Sequence, residues 1–176
     1  FRQSGVIRVD TLAEMFDVAQ ALALQPLPAG PRVAVVGNSD SLGLLAADAA
    51  AAAGLEVVGA PDDLGPRATA ADFEQALTRL VDDPGVDSVV VVYVPTLESG
   101  RAEEVARVLA AVAAPGTKPV VTTFLGSGGV PEALRLLDDR GVPGRGSVPS
   151  YPSPEEAARA LARILAGGGV ARITPA

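Results

Sequence analysis

From Pro31 onward the chain alternates short β-branched runs with longer alanine- and leucine-rich stretches, and this alternation constrains the fold more than any other feature. The runs Arg32 to Val36, Leu55 to Val58, Ser88 to Val94 and Pro119 to Phe124 are the strands this spacing predicts. Ser88-Val89-Val90-Val91-Val92-Tyr93-Val94 is almost unbroken in apolar character, as a strand covered on both faces must be. It is expected to lie centrally in a parallel sheet. Between the strands, Leu42 to Ala53, Ala70 to Val81, Gly100 to Ala113 and Val130 to Arg140 carry helix formers, with Gly54, Gly85, Gly116 and Gly141 as stops. A last helix, Pro154 to Leu165, starts with Ser153 as cap and Glu155 and Glu156 at its positive end.

Ahead of this series, Thr11-Leu12-Ala13-Glu14 has capping-box spacing and opens an amphipathic helix reaching about Leu24. Gln25-Pro26-Leu27-Pro28-Ala29-Gly30-Pro31 reads as a stiff linker. The expected organisation is a helical appendage and linker over 1–30, a doubly wound α/β domain over 31–167, and a frayed tail over 168–176. Five strand–helix units with the first strand inside the sheet give a flavodoxin-like, three-layer α/β/α arrangement of strand order 2-1-3-4-5. Its crevice lies at the carboxyl ends of strands one and three. The turns to inspect are Gly37 to Gly43, Pro95 to Ser99 and Leu125 to Gly129.

Composition narrows the chemistry. The chain has no histidine, cysteine or tryptophan, so histidine- or cysteine-based nucleophilic sites, structural zinc, iron–sulfur ligation and a phosphohistidine of its own are excluded. A net charge of −7, 13 arginines to one lysine and no basic run argue against nucleic acid. No apolar run approaches the length of a membrane span. The abrupt start at Phe1-Arg2-Gln3, without a signal-like region, and the absence of cysteine read as an excised piece of a larger cytoplasmic protein.

Neither Gly-Ser-rich turn completes Gly-x-Gly-x-x-Gly or a Walker motif, and small residues are what any strand-to-helix turn requires. Their amides suit an anion at a helix N-terminus, although Asp40 would repel a phosphate. Flavin lacks aromatics to stack on, and a phosphorelay receiver lacks the acidic residue after strand one. Asp62 and Asp63 have the adjacency of paired acid/base carboxylates, but a solvated loop is the favoured reading. Lys118 is expected at the surface of a strand edge, Tyr93 in the core, and Glu103, Glu104 and Arg107 on an exposed helical face. No catalytic residue and no metal site is expected within the chain.

Several segments together resemble a known family. Phe1 to Ala19, with Gly5-Val6-Ile7-Arg8-Val9-Asp10-Thr11-Leu12 at its heart, looks like the segment that follows the succinyl-CoA-ligase-like domain in NDP-forming acyl-CoA synthetases. Pro28 to Asn38, Asp82 to Val91 and Lys118-Pro119-Val120 are similar to strand entries of that family's next domain. The resemblance implies one domain of an enzyme that turns acid, CoA and ATP into acyl-CoA, ADP and phosphate through a travelling phosphohistidine. ATP/ADP, Mg and CoA are then needs of the whole enzyme, none bound by this domain alone. The implied partners are CoA-binding, phosphohistidine and ATP-grasp domains of the same parent.

The family's phosphohistidine-facing helix start corresponds to Asn38, Ser39, Ser41 and Gly43. Only Asn38 and Gly43 match its usual glycine-rich turn, and Ala60-Pro61-Asp62-Asp63-Leu64 stands where Asn-Pro-Val-Asp-Leu is usual. The stretch from Gly54 to Pro61 is also short for the family. These departures suit an alternative, a non-catalytic regulatory domain of a lysine acetyltransferase with a fused GNAT domain. A small-molecule binding module is a third reading.

Overall fold

In the computed structural model, residues 6–95, 101–125 and 131–168 are described. The sheet is built on β1 (Arg32–Gly37), which pairs in parallel with β4 (Ser88–Tyr93), itself paired in parallel with β5 (Val120–Phe124). On the other side of β1, β2 (Glu56–Val57) pairs with Arg32 and Val33, and β3 (Asp62–Asp63) pairs with Val36 and Gly37. These two pieces share one edge position, interrupted at 58–61. Beyond β5, Ser150 forms a single parallel bridge to Thr122: Thr122 N–H donates to the Pro149 carbonyl at 2.9 Å, and Tyr151 N–H to the Thr122 carbonyl at 2.8 Å. Read across its positions, the sheet has the expected flavodoxin-like order, with the second strand in two pieces and the fifth reduced to a bridge.

Among the described residues five long helices surround it: α1 (Leu12–Leu24), α2 (Asp40–Ala52), α3 (Ala70–Asp82), α4 (Arg101–Ala113) and α5 (Pro154–Gly168). Phe73, Leu77 and Leu80 of α3 and Val105 and Leu109 of α4 bury against Val89, Val91 and Tyr93 on one face. Ala46 and Ala50 of α2 and Leu161 and Ile164 of α5 pack on Val33, Val35, Val90 and Val121 on the other. Alanines let α2 approach the sheet and α5 closely, which accounts for the alanine run. Val18 and Ala21 of α1 join this second core by stacking on α5. Tyr93 is a core residue, as expected, packed between Phe73 and Phe124 with ring centroids 5.7 and 4.8 Å away.

Local signals explain the helix starts. Thr69 and Asp72 form a complete capping box on α3. On α1, Thr11 Oγ1 accepts from Glu14 N–H at 3.1 Å, while Glu14 reaches back to Asp10 N–H at 2.7 Å instead of to Thr11. Ser153 Oγ accepts from Glu156 N–H at 3.3 Å, the cap expected of it.

Lys118 lies part exposed just before β5, as expected, and its ammonium donates to the Leu80 and Asp83 carbonyls, closing the C-terminal end of α3. Two expectations need correction. The helix expected over 130–140 is, in its described part, only a 3-10 turn at Glu132–Leu134. Its carbonyls are claimed by the returning chain, Leu134 O by Val148 N–H at 2.8 Å and Leu136 O by Gly144 N–H at 2.8 Å. Asp138 Oδ1 also accepts from Arg140 and Val142 N–H, both at 2.9 Å, the local competition that disfavours aspartate inside helices. Gln25, in the expected linker, is 2% exposed. Its amide donates to the Ser147 carbonyl at 2.6 Å and accepts from Val120 N–H at 2.8 Å, so the end of α1 is stitched to the start of β5.

Candidate functional site

The carboxyl edge of β1 leads directly into α2: Asn38 and Ser39 make the turn, and Ser41 and Gly43 belong to the start of the helix. The four do different things. Asn38 is 3% exposed and turned into the seam between β1 and β4. Its Nδ2 donates to the Val94 carbonyl at 2.8 Å and its Oδ1 accepts from Val94 N–H at 2.7 Å. The amide thus continues the β1–β4 ladder by one rung, and its polar atoms face Val94. Ser39 caps α2 by backbone conformation alone, with φ −149° and no side-chain cap bond. Ser41 is exposed in the first turn. Gly43 is buried where an added Cβ would stand 3.2 Å from Pro61 Cβ, so its small size seats α2 against the break in the edge strand.

Gly37 has an equally specific reason. A Cβ there would fall 2.5 Å from the Val92 carbonyl oxygen, a backbone atom that cannot step aside. Close approach of β1 and β4, not a phosphate, accounts for this glycine.

The first-turn amides of α2 therefore face the carboxyl edge without help from the Ser39 hydroxyl, and the helix dipole places partial positive charge there. Exposed Asp40 offsets part of that charge. Gly37 to Gly43 contains no cation. Asp62 is paired with Arg79, and Asp63 Oδ1 accepts from Gly65 N–H at 3.0 Å in a local turn. The two aspartates form β3 rather than a free loop, and their partners differ, so they do not make an acid/base pair. No group of three acidic side chains suited to a metal occurs among the described residues. The turn thus offers the backbone amides of one helix end and one exposed carboxylate, with no cation beside them.

Of the other crevice turns, Pro95 and Leu125 alone lie within the described residues. At their strand ends stand two buried hydroxyls, Tyr93 Oη and Thr123 Oγ1, that have no hydrogen-bond partner among the described residues. Burial pushes the Tyr93 phenol above its ordinary pKa, with the charge of Arg101 opposing, so it stays a neutral donor. Sequence reasoning placed Tyr93 in the core without a role for its hydroxyl and passed over Thr123, since a tyrosine and a threonine in apolar strands carry no motif. It also passed over the Asn38–Val94 pair, whose only signal is an asparagine directly after a strand.

No family model matches the sequence. The chain is 30% identical over 184 residues to the alpha subunit of an ADP-forming acetate–CoA ligase (I) of Pyrococcus furiosus, covering 93% of this chain and 38% of that subunit. It is likewise 30% identical over 200 residues to the alpha subunit of that organism's ligase II, covering 97% of this chain and 42% of the subunit. A crystal structure of a Pyrococcus horikoshii protein superposes with a TM-score of 0.79 at 27% identity, over 98% of this chain and 43% of the other. The chain spans about two fifths of the length of the curated relatives it matches.

Proposed function

The chain is a domain of the ADP-forming acetate–CoA ligase family, and from that premise we propose that it serves a parent enzyme converting an acid, CoA and ATP into acyl-CoA, ADP and phosphate. The observation that carries this reading is a match along nearly the whole chain to part of two subunits bearing that activity in their names. In the proposed role the domain supplies an interface and one helix N-terminus, that of α2, instead of a catalytic side chain. Ser39, Ser41 and Gly43 line the approach, and Asn38 holds β1 and β4 in place behind it. The phosphohistidine, the CoA site and the ATP and Mg sites belong in this reading to other domains of the parent, in keeping with the absence of histidine here. The division into 1–30, 31–167 and 168–176 and a cytoplasmic setting belong to the same proposal. Among the described residues no helix is long and apolar enough to cross a membrane. Nothing in the comparisons supports the acetyltransferase alternative.

The test is made on the full-length parent. It is expected to release ADP from ATP only when acid and CoA are both present; ADP release that ignores either substrate rejects the ligase reading. A phosphoryl group approaching the positive end of α2 should feel the first-turn charges. A charge near a helix terminus is worth about 0.3–1 kcal/mol, or about two- to fivefold in rate, at low salt. Ser41→Asp is therefore expected to slow phosphoryl transfer and Asp40→Asn to speed it, both effects shrinking as salt screens them. Unchanged rates in both variants would remove the α2 role while leaving the ligase reading intact.

A further inference from the structure

Helix α1 is turned the wrong way round for a helix that serves only its own domain. Its inward face buries Val18 and Ala21, both small, while Leu12 is 68%, Phe16 63%, Met15 43% and Leu22 36% exposed. With exposed Ala19 and Ala23, these residues recur at helical spacing and form one continuous outer stripe.

The helix cannot roll to hide it. Glu14 and Asp10 are both held by Arg163 of α5, at 2.6 and 3.1 Å, and the Tyr151 hydroxyl donates to the Asp17 carbonyl at 3.0 Å. The polar contacts lie on the α5 side, so the apolar stripe is fixed outward.

We propose that this stripe is a docking face for another domain of the same parent chain. The proposal rests on the reading of this chain as one domain of a larger enzyme, whose relatives extend well beyond the matched region. Size decides between a tethered domain and a second copy. A helix of 13 residues is about 20 Å long and about 10 Å across, so the stripe offers about 200 Å². A free complex of standard size needs about 800 Å² from each partner. A contact between linked domains needs less affinity of its own, because the tether supplies a high effective concentration. The occupant is therefore an apolar surface carried in cis, and the preset orientation of α1 lowers the ordering cost of docking.

Hydroxyl-radical footprinting of the full-length parent tests this. Met15 and Phe16 are expected to be modified about tenfold more slowly than in the same protein unfolded in denaturant, as desolvation at a contact centre requires, and independently of protein concentration. Slowing of only about two- to threefold, which the 43% and 63% exposure of these side chains in the domain by itself accounts for, overturns the proposal. Protection that fades on dilution assigns the stripe to a second copy and overturns it as well. The double variant Leu12→Ser, Phe16→Ser alters only exposed positions of this domain, and is expected to split the parent's unfolding into two transitions; a profile identical to wild type counts against docking. Absence of ligase turnover in a preparation whose Met15 is protected would reject the proposed function alone.

Discussion

Asn38 follows directly on β1, and its amide is spent on holding two strands together. Replacing it by aspartate removes the donor to the Val94 carbonyl and sets a carboxylate against that oxygen. We expect Asn38→Asp to lower unfolding free energy by about 1–3 kcal/mol, the range for a buried polar group left unpaired, as read from urea denaturation. An unchanged midpoint would show that the seam closes without it. A second clamp stands at the opposite end of β1. Arg32 gives Asp87 three hydrogen bonds, from N at 3.0 Å, Nε at 2.9 Å and Nη2 at 2.8 Å. Bonding from the Arg32 side chain holds the Asp87 carboxyl below its ordinary pKa. A carboxylate depressed in the folded state contributes stability that is present above its unfolded pKa, near 4, and is lost as pH falls through the lower folded value. The acid limb of the stability profile should therefore flatten in Asp87→Asn, with the deficit largest at neutral pH; parallel profiles would contradict it. Gly30 lies against the same carboxylate, since a Cβ there would come 2.6 Å from Asp87 Oδ2.

At the scale of elements, the seam between α1 and α5 mixes matched and mismatched charge. Glu14 meets Arg163, whereas burial, and next to it the charge of Glu156, raises the Asp17 carboxyl above its ordinary pKa despite nearby Arg159. One Glu156 oxygen is itself buried without a partner among the described residues. For a carboxyl raised in the folded state the sign reverses: its contribution is fullest below the unfolded pKa and declines as pH rises through the folded value. Asp17→Asn is thus expected to raise the melting temperature at pH 7 and to leave it unchanged near pH 3. A fall at pH 7 would mean that the charge is needed. On α3, Thr69→Ala removes half of the capping box, and a loss of about 1 kcal/mol is expected by chemical denaturation. The capping signals at Thr11 and Ser153 were legible in the sequence, as were β1, β2, β4, β5 and all five long helices, because period and punctuation are local. The stretch after Pro131 was not, because its helix-forming composition is overruled by partners at Val142 to Val148, whose return no local pattern announces.

Across the whole molecule, Gln25 has a reach out of proportion to its place in a Pro-rich connector. One side chain satisfies Val120 N–H and the Ser147 carbonyl, joining α1, the entry to β5 and the segment that supplies the sheet's last bridge. Gln25→Ala leaves both groups unmet in the interior, and we expect a loss of about 2–4 kcal/mol together with faster hydrogen exchange at the Val120 amide. Exchange unaltered at Val120 would refute the link. Its importance could not be read from the sequence, since glutamine beside prolines looks like any solvated turn, and what decides its fate lies 95 and 122 residues away. The same distance effect hid the candidate site's inner half: Ser39, Ser41 and Gly43 could be grouped by adjacency, but the Asn38 partner comes 56 residues later.

The divided edge strand carries a consequence for association. An uninterrupted strand beside β1 would present a full row of outward N–H and C=O groups, a template on which another extended chain could grow. Here that row is two residues, a bend containing Pro61, and two residues more. At the far side, the single bridge at Ser150 is flanked by Pro149 and Pro152, which have no N–H to offer. Both margins of a valine-rich sheet are thereby poor seeds for cross-β growth, and a chain with so apolar an interior gains protection against aggregation from the very irregularities that make its edges look incomplete.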